Sequence, residues 1–99
     1  MDITHDGSTL VLTGEFDVRN TMKVRTAIYE HINGCDHDLV VDLSGVPVID
    51  LTALRVLAAA TRNAEQRGRH LTLRGAGPAV RRMLHISHLI RVVELERIA

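Results

Sequence analysis

Asp50 and Thr52, a carboxylate and a hydroxyl two residues apart, stand where a short extended piece, Val48-Ile49, gives way to a helical pattern that starts near Leu51. The first amides of a helix have no intrahelical partners and sit at the positive end of its dipole, so negative charge is stabilised there. Asp50 therefore reads either as an N-cap or as one member of an anion-sensitive site. The other reactive side chains are more scattered. Of six histidines, His85 and His88 could share a helical face, but no HExxH or His/Cys cluster with metal spacing accompanies them, and surface histidines are the expectation. Cys35 is alone, follows Gly34 in an apparent loop, and has no resolving cysteine, so it reads as an incidental thiol. Ser44, Ser87 and Thr52 lack a GxSxG elbow or a clear histidine base. Gly75 and Gly77 lack the third glycine of a dinucleotide fingerprint, and no phosphate-loop pattern occurs. No catalytic residue, cofactor or metal is expected, and the chain reads as a non-enzyme.

The elements that position Asp50 follow from periodicity. Ile3 and Leu10 to Thr13 flank the turn dipeptide Asp6-Gly7, which predicts a hairpin with Thr9, Val11 and Thr13 on one face. Asn20 can cap a helix whose apolar positions Val24, Ala27, Ile28 and Ile32 end at Asn33-Gly34. The run Leu39-Val40-Val41 predicts a strand buried on both faces, followed by a turn at Ser44-Gly45-Val46-Pro47. The next helix runs from about Thr52 to Gln66 and stops at Gly68. Its stripe of Leu51, Leu54, Leu57, Ala58, Thr61 and Ala64 is widened by Val56, Ala59 and Ala60, so it is either deeply buried or covered in part by another protein. His70 to Leu73 alternates as a strand, and Pro78 opens a short helix carrying Val80, Met83 and Leu84. Leu89 to Leu95 reads equally as a helical turn or an edge strand.

Bulk properties bound the function. A 99-residue chain with 45% apolar residues is expected to form one domain spanning 1–99, and with Phe16 and Tyr29 as its aromatics the core must be aliphatic, which suits an α/β layer fold. Twelve basic and twelve acidic side chains cancel, which removes the electrostatic case for direct nucleic-acid or anionic-membrane binding and leaves a protein partner or small ligand. No signal-peptide pattern opens the sequence and no apolar run approaches membrane-spanning length, so a cytoplasmic location without membrane insertion is expected.

Taken together, GEFD at 14–17, VVDLSGVPVID at 40–50, the helix LTALRVLAAATRNAEQRG and the late stretch GPAVRRMLHISHLIRVVEL resemble the STAS domain, and most of all the bacterial anti-sigma factor antagonists. The resemblance covers nearly the whole chain in order. It implies a small mixed β-sheet with helices packed on one face, no catalysis, and binding of a cytoplasmic anti-sigma factor, often a serine kinase, so that a sigma factor is freed. In the family's D-S-[ST]-G-L pattern the kinase phosphorylates the serine. Here the pattern reads Asp50-Leu51-Thr52-Ala53-Leu54, so the usual acceptor position has no hydroxyl. Thr52 keeps one, but a step of one residue turns the side chain by about 100° around the helix, and the standard switch is not expected to reach it. Arg55 replaces a small residue and His88 replaces the usual glycine of the late turn.

The resemblance together with the surplus apolar area places the partner surface on Asp50, Leu51, Thr52, Ala53 and Arg55, continuing along Ala58, Ala59 and Arg62, with the Phe16-Asp17 loop beside it. Thr52 is the candidate phosphorylation site on that surface. Three roles remain: an anti-sigma factor antagonist that binds constitutively or is regulated in another way, a STAS accessory subunit of a membrane ABC transporter docking on its ATPase, and a scaffold in a multiprotein sensory complex. The sequence favours the first.

Overall fold

The computed structural model describes residues 1–34 and 37–96, so Cys35 lies outside the described residues. Five strands form one sheet: β1 (Asp2–Asp6), β2 (Thr9–Thr13), β3 (Leu39–Gly45), β4 (Leu71–Arg74) and β5 (Glu94–Leu95), side by side in chain order. β1 and β2 form the expected antiparallel hairpin, and every later pairing is parallel. Between the parallel strands run α1 (Thr21–Gly34), α2 (Leu51–Gln66) and α3 (Pro78–Ile86), with a 3-10 turn, η1 (Leu89–Arg91), before β5.

Burial alternates along the central strands. Leu10 and Leu12 of β2, Leu39, Val41 and Leu43 of β3, and Leu71 and Leu73 of β4 are buried, whereas Val11, Val40, Asp42 and Thr72 are half-exposed. The expectation that β3 is enclosed on both faces is therefore corrected: the helices cover one face only. Val40 turns to the open face, where it lies opposite Thr9 and Thr72 in neighbouring strands, so three consecutive apolar residues did not require two covered faces.

On the covered face, α1 contributes Val24, Ile28 and Ile32, and α2 contributes Leu54, Leu57, Ala60, Thr61 and Ala64. The buried Thr61 hydroxyl donates to the Leu57 carbonyl at 2.8 Å, which satisfies it within its own helix. Asn20 is not the side-chain cap foreseen for α1. Its backbone carbonyl accepts from Val24 N–H, and its amide Nδ2 donates to the Glu15 carbonyl at 2.9 Å, tightening the loop that precedes the helix.

The segment left open between helical turn and strand is both: η1 turns the chain and Glu94-Leu95 then adds an edge strand to β4. His88 begins that turn with φ 62, the left-handed region that a glycine enters without strain. Because His88 lies past the end of α3 in this conformation, it does not share a helical face with His85. At the carboxyl end of the sheet, Gly75 (φ +70) approaches Ser44 so closely that an added Cβ would lie 2.9 Å from the serine Cβ.

Candidate partner-binding face

Asp50 is the N-cap of α2 in extended conformation, and its Oδ1 accepts the Ala53 N–H at 2.8 Å. Its second oxygen does something the sequence did not indicate. Oδ2 accepts the backbone N–H of Val18 at 3.0 Å, which ties the loop after β2 to the start of α2. The same junction is closed by backbone pairing between Phe16 and Ile49, with Phe16 N–H donating to the Val48 carbonyl and Asp50 N–H donating to the Phe16 carbonyl. The two loops thus form a single platform at the carboxyl end of the parallel strands.

The anticipated surface residues divide on this platform. Leu51, Thr52, Arg55, Ala59 and Arg62 are exposed along the outer face of α2. Ala58 is buried but lines the groove beside them. Phe16 and Ala53 are placed in the core, both with no exposed surface, because the Phe16-Ile49 pairing turns the ring inward and Ala53 follows the buried stripe of α2. They shape the platform from beneath without presenting a side chain on it. Asp17 is half-buried and gripped by Arg19, whose guanidinium donates to both carboxylate oxygens; those hydrogen bonds hold the Asp17 carboxyl below the ordinary carboxylate value.

Three apolar residues that sequence reasoning missed complete the face. Val18 is 62% exposed, Met22 66% and Val48 57%; Val18 and Val48 lie with Leu51 on the segments joined at Asp50, and Met22 lies in the first turn of α1 just after the Val18 loop. A signal existed for two of them. Met22 falls off the Val24-Ile28-Ile32 stripe, and in an extended Val48-Ile49 pair one side chain must point away from the core.

Further along α2, Arg55, Ala58, Ala59 and Arg62 form a groove of about 260 Å³ with Leu89 and Val92 from the chain around η1. Its floor is apolar and its charged side chains are basic. Elsewhere, His5 and His31 stack with ring centroids 6.4 Å apart, and burial chiefly, with His5, His37 and Arg69 nearby, pushes the His31 imidazole below its ordinary value. No group of three or more His, Cys, Asp or Glu side chains arranged to hold a metal occurs among the described residues. Among those residues no helix is long and apolar enough to cross a membrane.

A family model described as "Mlab, STAS domain" matches residues 1–94. No functionally curated protein matches the chain. Among solved structures, a Thermotoga maritima protein assigned as an anti-sigma factor antagonist superposes with a TM-score of 0.81 at 19% identity over 98% of this chain and 86% of its own. An anti-sigma factor antagonist from Mycobacterium paratuberculosis gives 0.78 at 24% identity, covering 97% and 83%. A sulfate transporter family protein from Wolinella succinogenes gives 0.72 at 19% identity, covering 92% and 77%. At these identities the likeness is one of fold.

Proposed function

This chain belongs to the STAS domain family, and from that membership we propose that it is a regulatory binding protein, an anti-sigma factor antagonist that engages a cytoplasmic anti-sigma factor of the kinase type and so frees a sigma factor. One observation carries the reading. Val18, Val48 and Leu51 are large apolar side chains left exposed on the segments that the Asp50 junction ties together, and Met22 is exposed in the first turn of α1, which follows the Val18 loop. Apolar surface of that kind supports a protein interface, because its exposure is costly until a partner covers it. Leu51 occupies the usual acceptor position and presents a methyl surface there, which fits binding that is constitutive or controlled through abundance. No reaction chemistry is assigned to the site.

A second reading has its own support. The neighbour from a sulfate transporter family shows this fold in a transport protein, which supports an accessory subunit that docks on the ATPase of a membrane transporter. Affinity capture from the native host separates the two. Wild-type protein should retain a kinase-fold anti-sigma factor, and Leu51→Asp should release it while keeping the wild-type thermal transition. Recovery of a transporter ATPase in its place would select the second reading, and recovery of either by Leu51→Asp at wild-type yield would remove the platform from both.

A further inference from the structure

The groove between α2 and η1 has features that specify an occupant. Arg55 and Arg62 are seven residues apart on α2, two turns or about 10.5 Å along its axis. Neither guanidinium is paired with a carboxylate among the described residues. Between them lie Ala58 and Ala59, whose small side chains let another backbone approach closely, and the far wall is formed by Leu89 and Val92. An open groove of about 260 Å³ is smaller than the roughly 300–1,000 Å³ of enclosed small-molecule sites, and its apolar lining between two arginines suits side chains of a protein partner.

We propose that this groove docks an acidic amphipathic helix of a partner protein, with two carboxylates seven residues apart that meet Arg55 and Arg62 and an aliphatic side chain between them that seats on Ala58, Ala59, Leu89 and Val92. The seven-residue match follows from helix geometry, since a helix lying along α2 repeats its facing positions at the same rise. The three helices of a second copy are excluded as the occupant by charge. Within their assigned spans, α1 carries Glu30 and α2 carries Glu65 as their only carboxylates, and α3 carries none, so none of the three can offer the pair. The groove continues the outer face of α2 from Leu51 through Arg55, so the helix would extend the contact made at the Asp50 platform. This inference rests on the proposed binding role and specifies the chemistry of the partner.

The test uses the intact isotope-labelled protein and synthetic stapled helical peptides, followed by amide chemical shifts. One peptide carries two glutamates seven residues apart around a leucine; a second carries lysines at those positions. The glutamate peptide should move the Ala58, Ala59, Leu89 and Val92 resonances saturably, and the lysine peptide should bind about tenfold more weakly or less. The exposed double substitution Arg55→Glu/Arg62→Glu, checked by its unchanged spectrum elsewhere, should reverse the preference. Equal response to both peptides, no response, or concentration-dependent shifts of the protein alone at these residues would overturn the proposal. A protein that selects the glutamate peptide but captures no anti-sigma factor refutes the functional reading alone. One that captures the anti-sigma factor, with or without the two substitutions, but ignores peptide charge refutes the groove alone.

Discussion

Asp50 Oδ2 and the backbone N–H of Val18 form a 3.0 Å hydrogen bond across thirty-two residues of chain, while Oδ1 of the same carboxylate caps α2 at Ala53. One side chain therefore sets both the first turn of α2 and the loop that carries the exposed Val18 and leads into α1, whose first turn exposes Met22. The positions of those residues and of Leu51 are not independent, because they hang on one carboxylate.

Asp50→Ala should lower the stability by about 1–2 kcal/mol, the cost of a lost cap together with an unpaired loop amide. It should also weaken partner binding, since the Val18 loop loses its register with α2. Chemical denaturation and titration calorimetry check the two effects. Full stability with lost binding would instead mark Asp50 as a direct partner contact.

Incubation with the cognate kinase and ATP should leave the protein unmodified and able to bind. Leu51, the first residue of α2, has no hydroxyl, and Thr52 is turned away from that direction by about 100°. Intact-mass spectrometry reads the result. A single phosphate absent from Thr52→Ala and accompanied by lost binding would show that Thr52 is the switch, its added charge of about −1.5 to −2 repelled by Asp50 and costly to bury in the interface.

His31 should make the fold weaken below neutral pH. Its folded value lies below the ordinary 6.5, so as pH falls past 6.5 the unfolded chain binds a proton more readily and stability decreases until the folded value is passed. His70 acts in the opposite sense. Glu94 raises its folded value, so its contribution is present below 6.5 and fades as pH rises through that raised value. Denaturation midpoints between pH 7.5 and pH 5 (about one unit either side of the free-imidazole range) should fall less steeply in His31→Gln than in the wild type, and more steeply in His70→Gln.

Gly75→Ala should destabilise by about 1–3 kcal/mol, because it combines a positive φ with a Cβ 2.9 Å from Ser44 Cβ. Thermal unfolding against Gly68→Ala, which shares a positive φ but meets nothing within 4 Å, separates the steric part from the conformational part.

His88→Gly should raise the stability by up to about 1 kcal/mol, since the left-handed conformation costs a side-chain-bearing residue about 1–2 kcal/mol and glycine returns part of that gain as unfolded-state entropy. A thermal melt with an unchanged or lower midpoint would show that the histidine side chain compensates for its backbone.

Much of the architecture was determined by the sequence itself, because it depends on local period and punctuation. The hairpin around Asp6-Gly7, the α1 stripe of Val24, Ile28 and Ile32, the helix starting beside Asp50 and its end near Gly68 all follow from turn chemistry and spacing within a few residues. Leu51 at the usual acceptor position was also legible, since it is a matter of residue identity. The tertiary structure decided what depends on long-range contact. A run such as Leu39-Val40-Val41 has no period that tells one covered face from two, and only the helices packing on one side assigned Val40 to the open face. Phe16 looked like a surface loop residue until pairing with Ile49 drew it inward and left Val18 outside. The second hydrogen bond of Asp50 and the wall that Leu89 and Val92 give to the Arg55-Arg62 groove join segments far apart in the chain. No local pattern encodes such pairings, because they exist only once the sheet has set the distances between its loops.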